Sequence, residues 1–292
     1  MKIASNKLID LYKYYQTELA SNYDASEIEA IFDLVCEHFL NFSKSEVKLA
    51  YQSHINQSDV LNIYLLVKEL KTNKPIQYIL GEAWFYDLKF KVNAHTLIPR
   101  PETEELVDLI IRDLKKQTLN ADFKLLDIGT GSGCIPISLK KHLAHTTVCA
   151  IDISNEALEV AKYNAEKNNT LVEWKCLNIL DESSWLDTSY SVIVSNPPYV
   201  KKGEAAKMDE RVLQHEPHLA LFVEEDDDII FYKKIIQFCD KHLCPGGYLY
   251  FELNPLTSNQ VKNYADEFKI FNFTEIMVDM SGKARFLKAI KK

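Results

Sequence analysis

The N-terminal part of the chain carries the hydrophobic spacing of amphipathic helices. Apolar residues recur there every three or four positions, which is the period of a helix with one buried face. Two tetrapeptides, 26–29 (SEIE) and 43–46 (SKSE), have the spacing of a capping box, in which a hydroxyl and a later acid close the first helical turn. The pattern predicts a bundle of four or five helices over residues 1 to about 72. Among its apolar positions are Ile28, Ile31, Phe32, Val35 and Phe39.

A short segment with strand-like composition follows the helical region. Pro75 interrupts the helical pattern, because the residue before a proline is biased away from helical geometry. Residues 76–80 and 84–92 are rich in β-branched and aromatic side chains, and Gly81 lies between them. We therefore expect a β-hairpin linker at 75–95, between a helical domain at 1–74 and a second domain at 96–292.

Apolar strand-like runs and helical periods alternate in the rest of the chain. This alternation is typical of an α/β protein with a doubly wound, mostly parallel sheet covered by helices on both faces. Ligands of such sheets bind at the carboxyl ends of the strands. The predicted strands are Lys124–Ile128, Thr147–Ile151, Val172–Cys176, Ser191–Ser195, Tyr248–Leu253 and Arg285–Ile290.

Composition and charge narrow the functional classes. The sequence has no apolar run of about 18 residues, so we expect no transmembrane helix. The N-terminus has no continuous apolar stretch after its lysine, so we expect no secretory signal. The six cysteines form no CxxC pair, which argues against a zinc site and for a reducing, cytoplasmic compartment. The net charge of −8 gives no general attraction for nucleic-acid phosphates.

Glycine is concentrated at one strand-to-helix junction. Three of the eight glycines, Gly129, Gly131 and Gly133, lie in the loop DIGTGSG at residues 127–133. Glycines allow close approach of backbone to a ligand, and the following helix offers free N–H groups. Asp152 ends the next predicted strand, where a carboxylate can bind the hydroxyls of a ribose. The loop therefore predicts a site for a nucleoside-containing cofactor.

Two classes of cofactor compete for this loop. The dinucleotide fingerprint is GxGxxG, whereas the spacing here is GxGxG and Cys134 stands at the third glycine position. Asp127, two residues before the first glycine, would repel a pyrophosphate but suit an ammonium group. We therefore favour S-adenosylmethionine, which has an ammonium, a sulfonium and no phosphate.

The predicted strand 191–195 ends in the tetrapeptide NPPY at Asn196–Tyr199. The Asn196 side-chain oxygen and the Pro197 carbonyl are candidate acceptors for the two N–H groups of an amide or exocyclic amine. Tyr199 is a candidate for stacking on the planar group. Placing such a nitrogen in line with a methyl donor is the main catalytic contribution that we expect.

These motifs together resemble one family, the HemK/PrmC methyltransferases, which modify the glutamine of the Gly-Gly-Gln motif in class 1 peptide-chain release factors. The resemblance covers nearly the whole chain and is most specific where NPPY combines with LIPRPETE. It is carried by 75–81 (PIQYILG), 97–104 (LIPRPETE), the glycine loop, Asp152, NPPY and Glu216-Pro217.

The resemblance implies a seven-stranded class I methyltransferase sheet that uses S-adenosylmethionine and releases S-adenosylhomocysteine. It implies that the release factor is the protein substrate and that the helical domain at 1–74 helps to dock it. From the residues themselves we expect no metal and no membrane, and a monomer is our default. Asn196, Pro197, Pro198 and Tyr199 would hold the glutamine, with Arg100 and Glu102 beside them. The implied cofactor-binding residues are Asp127, Gly129, Thr130, Gly131, Ser132, Gly133, Asp152, Ile153, Asn178, Ile179 and Asn196.

One pair of residues departs from the family pattern. The family often has an acid followed by a bulky residue at the adenine contact, where this chain has Asn178 and Ile179. Two other functions use similar motifs and stay open here: a nucleic-acid adenine N6-type methyltransferase, and a non-catalytic binder of release factors.

Overall fold

The computed structural model of the protein describes residues 4–116, 123–185, 187–201, 203–204, 208–223 and 227–292. The chain divides into two compact units, Met1–Gly81 with Asp209–His215, and Glu82–Met208 with Glu216–Lys292. The helices are α1 Leu8–Leu19, α2 Ala25–Leu40, α3 Lys44–Leu49, α4 Gln57–Leu70, α5 Ile76–Leu80, α6 Pro101–Leu114, α7 Cys134–His142, α8 Asn155–Lys167, α9 Glu210–His215, α10 His218–Leu221, α11 Ile230–His242 and α12 Ser258–Phe268. The strands are β1 Glu82–Phe85, β2 Leu88–Lys91, β3 Lys124–Ile128, β4 Thr147–Asp152, β5 Glu173–Cys176, β6 Tyr190–Ser195, β7 Val200–Lys201, β8 Phe222–Val223, β9 Leu243–Glu252, β10 Phe271–Val278 and β11 Ala284–Lys291.

The first unit is the helical bundle that the hydrophobic spacing predicts. Helices α1 to α5 enclose a core that includes Tyr15, Phe32 and Val35. The predicted capping box of α3 is confirmed, since Ser43 and Glu46 close its first turn reciprocally. The box predicted at residues 26–29 is wrong: Asp24 and Glu27 cap α2 instead, because the helix already begins at Ala25.

A distant segment of sequence, Asp209–His215, belongs to this helical unit. The Arg211 guanidinium forms an ion pair with Glu27, at 2.9 Å from Nη1 to Oε1. The same guanidinium lies over the Tyr23 ring, 5.3 Å from its centre. Arg211 also binds Asp209, with 2.7 Å between Nη2 and Oδ2. One arginine therefore fixes the segment to helix α2 and the residues before it.

The strand predicted at residues 76–80 is wrong, because this stretch forms the short helix α5. Pro75 precedes the helix and Gly81 ends it in the left-handed conformation, with φ of 73°. A hairpin does form, but β1 pairs with β2 around Tyr86 and Asp87, which both have positive φ. Gly81 therefore ends a helix and makes no hairpin turn.

The second unit contains a seven-stranded sheet in the order β10-β11-β9-β6-β3-β4-β5. Strands β5, β4, β3, β6 and β9 run parallel, whereas β11 is antiparallel to both β9 and β10. The predicted doubly wound, mostly parallel fold is confirmed. Strand β10 was not predicted from the hydrophobic pattern, because most of its residues are exposed or half-buried at the sheet edge.

Helices cover both faces of this sheet. One face packs against α6, α7 and the aromatic residues Phe85 and Phe90 of the hairpin. The other face packs against α11 and α12. Within the described ranges, none of the helices is long and apolar enough to cross a membrane.

Candidate active site

Strand register aligns the candidate chemistry at one edge of the sheet. Ile128 of β3 pairs with Ile151 of β4 on one side and with Ser195 of β6 on the other. Ser195 in turn pairs with Phe251 of β9. The residues that follow these positions are Asp152, Gly129, Asn196 and Glu252, so they form a row along the carboxyl edge.

The row lies where the strand order reverses. From β3 the chain adds β4 and β5 on one side and then β6 and β9 on the other. The loops after β3 and β6 therefore leave the sheet in opposite directions, which opens a crevice between them. The glycine loop and the NPPY segment form the two sides of this crevice.

The glycine loop needs left-handed backbone at three positions. Gly129, Gly131 and Gly133 have φ of 76°, 54° and 79°. A Cβ on Gly133 would lie only 3.0 Å from Ile137 Cδ1 and 3.1 Å from both Ala161 Cβ and Trp174 Cη2. Gly133 thus allows α7 to pack closely, whereas open space surrounds the Cβ positions of Gly129 and Gly131.

Asp152 organises the same loop. Its Oδ2 accepts the Gly131 N–H at 2.8 Å and its Oδ1 accepts the Ser154 N–H at 3.0 Å. Burial raises the pKa of Asp152, while these backbone hydrogen bonds lower it. Each carboxylate oxygen keeps a further lone pair, which suits the hydroxyl groups of a ribose.

Asp127 is a fully buried acid beneath the loop. Both of its carboxylate oxygens lack a hydrogen-bond partner in the described part of the chain, and so does the Thr130 hydroxyl. Burial raises the Asp127 pKa to about 7; the nearby Thr130 hydroxyl lowers it and the Asp152 charge raises it further. An unsatisfied buried carboxylate is costly, and an ammonium group would compensate it. The site therefore fits a ligand that carries both an amine and a ribose.

A cavity of about 530 Å³ occupies the crevice. Most of the predicted site residues line it: Arg100, Gly129, Thr130, Gly131, Ser132, Asp152, Ile153, Asn178, Ile179, Asn196, Pro197 and Pro198. Glu102, Asp127, Gly133 and Tyr199 are not among the lining residues.

The departure at Asn178 has a structural consequence. Asn178 Oδ1 accepts the Leu180 N–H at 3.0 Å and so stabilises its own loop. Its amide nitrogen is the group that remains for a ligand, and Ile179 beside it presents a buried apolar side chain. This wall of the cavity can pack against a flat heterocycle.

Arg100 does not extend freely into the cavity. Its Nη2 lies 2.5 Å from Glu216 Oε1, and the other oxygen of Glu216 accepts the Ile98 N–H at 3.3 Å. The Glu216 side chain is almost fully buried. The LIPRPETE segment is therefore attached to the Glu216-Pro217 motif.

The NPPY side chains join a polar network that the sequence did not reveal. Asn196 Nδ2 donates to Thr103 Oγ1 at 3.2 Å, and Thr103 Oγ1 donates to Glu252 Oε2 at 2.7 Å. The Tyr199 hydroxyl donates to Glu252 Oε1 at 3.4 Å. Thr103 and Glu252 are 149 positions apart in sequence, so only the fold brings them together. The available signal was an acid, Glu252, at the end of the apolar run of β9.

Two family models match the chain. The methyltransferase small domain matches residues 105–219, and the PrmC N-terminal domain matches residues 10–81.

Curated relatives span almost the same length. The release factor glutamine methyltransferase of Flavobacterium psychrophilum is 41% identical over 95% of this chain and 98% of its own. The protein of the same name from Bacteroides thetaiotaomicron is 38% identical over 94% of this chain and 97% of its own. That from Bacillus subtilis is 33% identical over 94% of each chain.

Solved structures share the fold at low identity. A methyltransferase from Pyrococcus furiosus superposes with a TM-score of 0.51 at 20% identity, over 77% of this chain and 96% of that one. A 16S rRNA methyltransferase from T. thermophilus, in complex with AdoMet and guanosine, gives 0.51 at 15% identity, over 72% of this chain and 50% of that one.

Proposed function

Because the chain belongs to the family of release factor glutamine methyltransferases, we propose that it methylates the side-chain amide nitrogen of a release-factor glutamine. The glutamine is that of the Gly-Gly-Gln motif in class 1 release factors. The observation that carries the proposal is the strand register, in which Asn196 follows β6 directly beside the glycine loop that follows β3. An amide acceptor and a cofactor loop then flank one cavity.

The cofactor in this proposal is S-adenosylmethionine. When bound, it supplies a sulfonium methyl group that an amide nitrogen can accept. Asp127 would compensate its ammonium, Asp152 would accept its ribose hydroxyls, and Ile153, Asn178 and Ile179 would enclose its adenine. The remaining loop residues Gly129 to Gly133 would bind through backbone groups, which requires the positive φ values described above.

The chain's own residues act on the glutamine by position. Asn196 Oδ1 and the Pro197 carbonyl would each accept one N–H of the amide, which directs the nitrogen lone pair toward the methyl donor. Pro198 holds the preceding carbonyl in extended geometry. The Tyr199 ring would lie against the amide plane, and Arg100 and Glu102 would border the peptide on either side of the glutamine.

The wider context of the proposal follows from the family. Residues 1–74 would dock the release factor, and the enzyme would act in the cytoplasm as a monomer without metal. The two alternatives, an adenine N6-type nucleic-acid methyltransferase and a non-catalytic binder, are not favoured by relatives that match almost the whole chain.

The direct test combines the purified protein with an unmodified class 1 release factor and S-adenosylmethionine. Tandem mass spectrometry should find one added methyl group on the Gly-Gly-Gln glutamine. Asn196→Ala should abolish it, whereas Asn263→Ala, the same change at an exposed position of α12, should not.

A release factor with glutamate in place of that glutamine should stay unmodified. Binding of S-adenosylmethionine without any methylated glutamine would contradict the proposed substrate. Loss of both binding and transfer would instead support the non-catalytic alternative.

A further inference from the structure

The amide of Asn196 can face the cavity in two ways. A terminal amide has an oxygen that accepts and an NH₂ group that donates, and the two ends have nearly the same shape. Only the oxygen can accept an N–H from a substrate amide. The reaction therefore requires contacts that turn the NH₂ group of Asn196 away from the substrate.

The neighbouring hydrogen bonds have a defined direction. Above a pH of about 7 Glu252 is ionised. Its carboxylate then has no proton to donate, so the hydroxyl hydrogen of Thr103 points to Glu252 Oε2 at 2.7 Å. Thr103 Oγ1 then presents only lone pairs to Asn196, at 3.2 Å. The group of Asn196 that can donate to those lone pairs is Nδ2, and its Oδ1 is left for the cavity that Asn196 lines.

Burial and several hydrogen bonds hold Glu252 in place. It is 1% exposed and ends β9, one position beyond the Ser195–Phe251 pair. Its backbone carbonyl accepts the Tyr232 hydroxyl at 2.9 Å, and its second carboxylate oxygen accepts the Tyr199 hydroxyl. Burial raises the pKa of Glu252 to about 7 and the Glu102 charge raises it further, whereas the Thr103 hydroxyl and the Arg285 charge lower it.

We propose that Glu252 is the positioning residue of the NPPY motif: through Thr103 it fixes the direction of the Asn196 amide, and directly it anchors Tyr199. One buried carboxylate thereby orients two side chains of the motif without touching the substrate. The inference rests on the proposed function, because it concerns the acceptor for the target amide.

We call the hydrogen bonds from Asn196 through Thr103 to Glu252 the relay. Conservative substitutions at Thr103 distinguish its effect on the reaction from the effect of packing alone. Thr103→Val keeps the volume but removes the hydroxyl, so we expect kcat to fall by about 10- to 100-fold. Thr103→Ser keeps the hydroxyl and should retain kcat within about threefold. Neither change should alter the S-adenosylmethionine Kd, measured by calorimetry, by more than about twofold.

Glu252→Gln tests the direction of the hydrogen bonds. A glutamine amide has one oxygen and one NH₂ group, so it cannot accept hydrogen bonds from both Thr103 and Tyr199 as Glu252 does. Where its NH₂ group faces Thr103, the direction of the bonds reverses and the Asn196 NH₂ turns toward the cavity. We expect a loss of kcat at least as large as for Thr103→Val. The double variant should lose no more than the larger single loss, since both changes break one chain of bonds.

The outcomes distinguish the two proposals. A wild-type protein that leaves the glutamine unmethylated would refute the proposed function and the relay with it. An active wild type whose Thr103→Val and Glu252→Gln variants keep kcat within about twofold would refute the relay alone. If Thr103→Val does not fold, the pair Thr103→Ala and Thr103→Ser decides, because equal kcat values in the two would also refute the relay.

Discussion

At the scale of single residues, the site depends on buried acids that have different tasks. Asp152 is satisfied by backbone N–H groups, Glu252 by the hydroxyls of Thr103 and Tyr199, and Asp127 by no hydrogen bond in the described part of the chain. Burial raises the pKa of both Asp127 and Glu252 to about 7. Asp127, the unsatisfied acid, is suited to form an ion pair with a positively charged group of a ligand. Glu252 is suited to hold neighbouring side chains in place.

Asp127 should make cofactor affinity depend on pH. Below a pH of about 7 the acid becomes neutral and cannot compensate an ammonium, so the S-adenosylmethionine Kd should rise as the pH falls from 8 to 6. Asp127→Asn should bind about 10- to 100-fold more weakly at pH 8 and lose this dependence. Calorimetry across this range measures both effects.

The matched control is Asp33→Asn, because Asp33 is also a buried acid with a raised pKa but lies in α2. It should keep the wild-type pH dependence. A wild-type Kd that does not change between pH 6 and 8 would exclude Asp127 as the ammonium partner. In the free protein the sign for stability is opposite: a raised folded-state pKa costs stability as the pH rises through about 7, so Asp127→Asn should raise the Tm at pH 8.

At the scale of elements, the close packing of α7 against its neighbours explains why the glycine loop needs a glycine at position 133. Gly133 combines a φ of 79° with crowding by Ile137, Ala161 and Trp174. Gly282 has a similar φ of 77° but open space around its Cβ position. The two positions therefore separate backbone strain from side-chain crowding.

Gly133→Ala should lower the free energy of unfolding by about 2–4 kcal/mol, as strain and overpacking add. Gly282→Ala should cost only the strain, about 1–2 kcal/mol. Urea denaturation of the two variants gives the difference. Equal losses would mean that the crowded neighbours of Gly133 move aside without cost.

The elements also show which parts of the fold can be predicted from sequence. Strand Lys124–Ile128 was predicted to the residue, because a short, mostly apolar run directly before glycines is typical of a buried strand even with Asp127 within it. Residues 76–80 were mistaken for a strand, since their β-branched and aromatic side chains outweighed the caps at Pro75 and Gly81. The cofactor loop and NPPY are local motifs and were recognised, whereas the contact between Thr103 and Glu252 depends on register between distant strands and helices.

At the scale of the whole molecule, the helical unit includes a piece of distant sequence. Arg211 fixes the segment Asp209–His215 to this unit through Glu27 and the Tyr23 ring. His215 adds a contact from its Nε2 to the Thr72 carbonyl oxygen, at 3.4 Å. The segment begins ten positions after Tyr199, the last residue of the NPPY motif, and directly precedes Glu216, the partner of Arg100.

Arg211→Ala should release the segment locally. We expect amide hydrogen exchange in Asp209–His215 to rise by about tenfold, because the variant removes both the ion pair with Glu27 and the contact with the Tyr23 ring. The S-adenosylmethionine Kd should not change. Arg112→Ala serves as the control, since its ion pair with Asp108 is exposed on α6 and should contribute little. Unchanged exchange in Arg211→Ala would show that other contacts hold the segment.

The same segment constrains how such a protein can arise or be divided. The chain passes from the first unit to the second after Gly81, returns after Met208 and leaves again after His215. Joining two genes end to end accounts for the first passage alone. Residues 209–215 lie within the stretch that matches the methyltransferase small domain, yet they contact residues of the helical module. A shortened gene that starts at Glu82 would still encode Arg211 but neither Tyr23 nor Glu27. Exchange of helical modules between relatives should therefore succeed only when residues 209–215 are exchanged together with them.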